Sequence, residues 1–228
     1  RFAMSLHDLI LLPQDGQRED DLSLARTLRQ WADAEVLAHR LELKESYQEL
    51  LRPAMKKLFV QIELQKLLWG EEHGGIGLNS PEVAQTLATS LEQIGRADTG
   101  IGFLFAATFA LGSTFALAEN KNEKLCKKFA PLFCETDQET LGALVLPVYS
   151  SKLAADARLF RGKGLQVRAV KKGKSWVISG QDTRPLNSGS DAALFGIMVA
   201  LEGEEDEVGF LIVPADLPGV SRGQEYLK

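Results

Sequence analysis

Residues 99–118 read TGIGFLFAATFALGSTFALA, twenty consecutive positions without a charge. A helix of that length and polarity has two physical outcomes. It crosses a bilayer, or it is buried on every side at the centre of a helical bundle. Asp98 and Glu119 bound the run, no Trp or Tyr marks its ends, and Gly, Thr and Ser dilute its interior. Membrane spans carry aromatic belts at their interfaces. The segment is therefore expected to be a buried core helix, with no membrane span, and the rest of the first half must supply the helices that cover it.

The sequence supplies them. From Asp20 to Leu43, Leu24, Ala25, Leu28, Trp31, Ala32 and Val36 recur at helical spacing with charges between them. A second helix is expected from Tyr47 to Leu68, with Pro53 near its start, where proline costs little. Ser80-Pro81 reads as an N-cap followed by proline at the first helical position, opening a helix that runs to Ile94 and stops before Gly95. Asp98 or Thr99 caps the apolar helix. A further amphipathic helix starts near Asn122, with Leu125, Phe129, Leu132 and Phe133 on one side.

Beyond residue 137 the period changes. Leu141–Val148 is apolar and suited to a strand, and Leu165–Val170 alternates. Lys172-Gly173 turns the chain, Ser175–Ser179 returns, and Ala192–Leu201 and Val208–Val213 follow. The basic run Lys171–Lys174 is a hairpin tip, and Glu202–Glu207 is a solvated acidic loop. Residues 180–191, GQDTRPLNSGSD, lie between two strands that read as sheet neighbours. Proline inside such a stretch marks a change of direction, and corners of this kind are where ligands bind. The expected fold class is α+β, with an α-helical domain over 1–137 and an antiparallel β-barrel domain over 138–228.

Several functions are excluded at this level. The net charge is −5 and Lys and Arg are scattered, so there is no basic footprint for nucleic acid. Cys126 and Cys134 have no metal-motif spacing and read as reduced structural thiols of a cytoplasmic protein. His7, His39 and His73 form no ligand pattern, so no metal is expected. Arg1–Asp8 lacks the apolar run and cleavage site of a signal peptide.

Leu68-Trp69-Gly70-Glu71-Glu72-His73-Gly74-Gly75-Ile76-Gly77 resembles the P-E-E-Y-G-G-x-G segment of the acyl-CoA dehydrogenase family, with Gly70 for the proline and His73 for the tyrosine. Glu92–Asp98 is similar to the family's E-x-x-A-R-x-D, which precedes a buried helix near the acyl chain. Asn122–Leu132 is similar to E-x-Q-K-x-x-x-L-P-x-L. In the second half Ala143–Pro147 resembles A-x-T-E-P, Trp176–Gly180 resembles y-x-l-N-G, and Pro218-Gly219-Val220 resembles the P-G-V after the last strand. The resemblance implies an FAD-dependent α,β-desaturation of an acyl-CoA thioester by a homo- or hetero-oligomer, with an electron-transfer flavoprotein as a possible electron acceptor. It also implies a third, C-terminal helical domain carrying the general base. No residue here takes that role by motif, so the chain is expected to be an incomplete fragment, inactive alone.

The resemblance places the flavin contacts at Leu144, Val145, Ser151, Arg184 and Leu186. In A-x-T-E-P the threonine meets the flavin; here Val145 stands there and cannot donate a hydroxyl hydrogen bond. The family's G-S-D reads Ser150-Ser151-Lys152, keeping the serine. Its K-x-W/F-I-T/S-N reads Asp182-Thr183-Arg184-Pro185-Leu186-Asn187. The aromatic becomes Arg184, the hydroxyl residue becomes Leu186, and Asn187 matches. The alternative expectation is therefore a non-catalytic family member that has lost flavin binding, serving as a silent subunit or an acyl-CoA-binding module.

Overall fold

The computed structural model describes residues 15–39, 47–78, 80–117, 121–146, 165, 167–180, 185–203 and 207–222. The chain divides into two compact units, Arg1–Thr140 and Leu141–Lys228, and its class is α+β.

In the first unit, α1 spans Glu19–Trp31 and buries Ala25, Leu28 and Trp31, with Glu19, Asp20 and Asp21 in its first turn, where carboxylates complement the helix dipole. The helix expected to reach Leu43 changes character after Trp31, into a π-type turn over Ala32–Val36 and a 3-10 turn over Leu37–His39. The second expected helix is also divided. α2 covers Tyr47–Lys56, a π-type turn follows over Lys57–Gln61, and Glu63 at φ 64° ends the run well before Leu68. A non-glycine residue in the left-handed region cannot continue a right-handed helix. The Trp31 indole N–H donates to the Ala54 carbonyl at 2.9 Å, just ahead of the π-type turn. Pro53 is the seventh residue of α2, not a starting residue, and removes the donor that the Glu49 carbonyl would otherwise have met.

α3 runs Ser80–Ala97, through Gly95. An interior glycine costs about 1 kcal/mol, and a Cβ on Gly95 itself would meet open space. A Cβ on Gly102 of α4, which spans Thr99–Ala116, would lie 3.4 Å from the Gly95 Cα. Gly102 thus faces the α3 backbone at Gly95 at about van der Waals distance. Asp98 caps α4, its side chain accepting from Ile101 N at 2.9 Å. α4 is long and apolar enough to span a membrane, and half of it is buried inside the protein. Ile101, Phe105, Thr108, Leu111, Gly112 and Phe115 face the core, whereas Phe103 is exposed. α5 spans Glu123–Cys134, capped by Asn122, which accepts from Leu125 N. Its buried stripe is Cys126, Phe129, Ala130 and Phe133; Leu132, expected on that face, is exposed.

The second unit holds a five-stranded sheet among the described residues: β1 Gly142–Val145, β2 Arg168–Lys172, β3 Ser175–Ser179, β4 Leu194–Leu201 and β5 Val208–Pro214. β2 and β3 form the expected hairpin, turning at Gly173 with φ 62°. β4 and β5 are also antiparallel. The purely antiparallel barrel is not observed. β1 and β2 both run parallel to β4, β1 along Leu194–Ile197 and β2 at Ala200–Leu201. Nor are β3 and β4 neighbours, because β2 lies between them. Parallel pairing needs a long crossover, and the stretches after β1 and after β3 are long enough to provide one. A reading that counts tight turns alone misses this. Ala143, Val145, Ala192, Phe195 and Val213 form one core cluster of the sheet.

Candidate functional site

The corner that follows β3 is built against β1. Asn187 acts there as a side-chain substitute for a strand. Its Oδ1 accepts from Leu144 N at 3.2 Å and its Nδ2 donates to the Gly142 carbonyl at 2.7 Å. Leu186 N donates to the Leu144 carbonyl at 2.8 Å. Both backbone groups of Leu144 are therefore engaged by the corner. Ser188 then adopts φ 44°, and its carbonyl accepts from Asp191 N and Ala192 N, closing a tight turn into β4. A Cβ on Gly189 would lie 3.0 Å from Pro185 Cγ, so the proline ring packs closely over the glycine. Arg222 fastens the exit, its guanidinium donating to the carbonyls of Ser190 and, at 2.6 Å, Ala192. Pro185 thus serves a backbone that leaves the sheet and is tied back to it.

This geometry brings Leu144, Val145 and Leu186 together. Side chains alternate along a strand: Val145 is 6% exposed within the sheet core cluster, while Leu144 lies on the opposite face. Leu186 is 52% exposed. Ser151 and Arg184 lie outside the described residues. What sequence reasoning missed is the clamp itself. Asn187 was legible as a motif match, but its two bonds to β1 depend on a long-range contact.

In the helical unit, residues 69–77 fold back on themselves. Gly75 N donates to the Gly70 carbonyl and Gly77 N to the Trp69 carbonyl, and Gly74 and Gly77 have φ 79° and 72°. A Cβ on Gly75 would meet the Trp69 carbonyl oxygen at 2.0 Å. The glycines are thus required by close approach and by left-handed backbone. Beside this loop, a cavity of about 20 Å³ is walled by Phe59, Leu68, Trp69, Phe105, Phe109 and Phe133, with Thr108 and Gly112 of α4. Gln65, which also lines it, is fully employed: it donates to the Phe133 and Gln138 carbonyls and accepts from Thr140 N.

Two polar clusters flank these features. Asp21, buried, accepts from Arg18 Nε and Nη2 at 3.0 Å and from the Thr86 hydroxyl at 2.6 Å. Burial alone would raise its pKa, but the Arg18 and Thr86 hydrogen bonds outweigh this and hold it below the usual carboxylate value. At the other end of the unit, Glu72, His73 and Glu123 converge, with ligand-type atoms within 4.8 Å of one another. The side chains of the E-x-x-A-R-x-D segment are structural here: Arg96 pairs with Asp33 at 2.7 Å and Asp98 caps α4.

A family model described as the N-terminal domain of acyl-CoA dehydrogenase matches residues 18–137. The chain belongs to the acyl-CoA dehydrogenase family. Solved structures share its fold. An acyl-CoA dehydrogenase complexed with FAD from Bacillus anthracis aligns with TM-score 0.69 at 23% identity, over 94% of this chain and 35% of that one. A nitroalkane oxidase aligns with TM-score 0.69 at 21% identity, over 87% and 49%. An electron transferring flavoprotein of Acidaminococcus fermentans aligns with TM-score 0.63 at 18% identity, over 89% and 50%. The chain spans about a third to a half of these proteins. No curated protein sequence matches it.

Among the described residues, the fit to a flavin is divided. Asn187 ties the corner to β1. At the positions that the resemblance assigns to the flavin, the side chains do not supply its hydrogen bonds: Val145 is packed into the sheet core without a hydroxyl, and Leu186 presents an apolar side chain. Neither can hydrogen-bond a flavin ring.

Proposed function

We propose that the chain is an acyl-CoA-binding member of the acyl-CoA dehydrogenase family that has lost flavin chemistry and works as a non-catalytic subunit in a homo- or hetero-oligomer of family members. The observation that carries this reading is the corner on β1. Asn187 ties the corner to β1 at the place where the resemblance puts the flavin, yet the Val145 and Leu186 side chains offer no hydrogen bond. Acyl binding is supported by α4, where the small cavity at Thr108 and Gly112 is walled by apolar and aromatic side chains and takes about one water-sized group. The methyl end of an acyl chain has that size and polarity. Such a protein would be cytoplasmic, as reduced cysteines suggest.

A second reading rests on family membership and on the retained corner: FAD-dependent α,β-desaturation in a complete protein, with the general base on a C-terminal domain and an electron-transfer flavoprotein as acceptor. The test is calorimetric titration of the complete protein with a medium-chain acyl-CoA, with and without added FAD, for the parent and a Val145→Thr, Arg184→Trp, Leu186→Thr variant. The proposal expects acyl-CoA binding in both and FAD binding in the variant alone. FAD binding by the parent supports the second reading, and failure to bind acyl-CoA overturns both.

A further inference from the structure

We propose that Glu72, His73 and Glu123 form a binding site for a divalent transition-metal ion of the Zn²⁺ class, which staples the glycine-rich loop to the N-terminus of α5. The site does not depend on the flavin or acyl readings. Glu72 and His73 come from the 3-10 turn Glu71–His73, and Glu123 is the first residue of α5. His73 makes this more than an acidic cluster. Its side chain is 7% exposed, and its Nε2 points at the two carboxylates from 3.5 Å (Glu123 Oε1) and 3.8 Å (Glu72 Oε1). Those separations are too long for hydrogen bonds, and this buried nitrogen has no hydrogen-bond partner. The spacing suits a shared cation. Donors about 2.0–2.2 Å from a tetrahedral metal stand roughly 3.4 Å apart, close to the His73–Glu123 distance of 3.5 Å.

The donor set selects the ion. One imidazole and two carboxylates with an open, solvent-facing side suit Zn²⁺ and its neighbours, whereas Mg²⁺ and Ca²⁺ require an oxygen-rich shell of six or more ligands. The local competitor is Lys121. Its ammonium contacts Glu72 Oε1 and lies 3.6 Å from Glu123 Oε2, and the largely exposed Lys127 lies 3.7 Å from Glu123 Oε1. A metal must displace the Lys121 ammonium from Glu72, so removing that charge strengthens metal binding.

The chain has three histidines, which makes the test readable by NMR of ¹³C,¹⁵N-histidine-labelled protein. Zn²⁺ is titrated into chelator-treated protein at neutral pH. The ring signals of His73, assigned with His73→Gln, are expected to move to a new position that saturates at one equivalent, with no movement on adding Mg²⁺. Glu123→Gln, an exposed substitution that leaves the fold intact by circular dichroism, is expected to weaken the effect at least tenfold. Lys121→Gln is expected to strengthen it severalfold. His73 signals that ignore Zn²⁺ in the parent protein, or that respond equally in Glu123→Gln, overturn the proposal.

Discussion

Replacing Asn187 with alanine removes the two side-chain bonds that tie the corner to β1, the acceptor for Leu144 N at 3.2 Å and the donor to the Gly142 carbonyl at 2.7 Å. Each is worth about 1 kcal/mol net, and the half-buried Leu144 N–H is left without its acceptor, so the loss totals about 2–3 kcal/mol. Asn187→Asp does not restore it, because the carboxylate keeps the acceptor but sets an anion against the Gly142 carbonyl. The effect is read locally by hydrogen exchange at Leu144. A loss of 2 kcal/mol speeds exchange through opening by roughly thirtyfold. Urea unfolding of the same variants gives the global value. Exchange at Leu144 that stays within about threefold of the parent in Asn187→Ala refutes the clamp and, with it, the account of why Asn187 survives where its neighbours differ.

Other consequences are as direct. Gly75→Ala places a methyl on the Trp69 carbonyl oxygen at 2.0 Å; overpacking of this kind costs about 1–3 kcal/mol, measurable by thermal melting, and an unchanged melting temperature contradicts the loop geometry. Asp21 has a folded pKa below its unfolded value of 3.8, so it contributes stability above that value and loses it as pH falls through the folded pKa. Asp21→Asn is accordingly expected to flatten the acid limb of the stability curve. Burial pushes the Cys134 thiol up to about 11 and raises that of Cys126. Both are expected to react slowly with a disulfide reagent at pH 8 until urea unfolds the chain, and rapid native-state labelling contradicts the burial of Cys126 and the partial burial of Cys134.

What could be read from sequence was local. The cap of α4 was legible as Asp98 or Thr99 and the start of α5 near Asn122, because a cap needs a short polar side chain three residues before the amide it receives; the structure places the two bonds at Asp98 and Asn122. The Lys171–Lys174 hairpin was legible for a similar reason: Gly173 supplies a turn backbone. Helix ends were less legible. Gly95 read as a stop, yet α3 continues through it to Ala97, because one interior glycine costs a helix only about 1 kcal/mol. Trp31 reaching Ala54 is invisible in one dimension. Strand partners were misjudged because adjacency in sequence was taken for adjacency in the sheet, whereas β4 draws β1 and β2 onto one edge from both sides of a long connection. The same limit applies to the cluster at His73. Glu123 lies fifty residues away in sequence, so histidine spacing alone gave no ligand pattern.

The central proposal is that this chain has lost flavin binding through the side chains at Val145, Arg184 and Leu186. The most direct measurement is the visible absorption spectrum of the complete protein, purified without added cofactor and then passed through a desalting column after incubation with excess FAD. The account predicts a colourless protein that retains no stoichiometric flavin and regains it when Val145, Arg184 and Leu186 are replaced by Thr, Trp and Thr. One tightly held flavin per chain in the parent contradicts it.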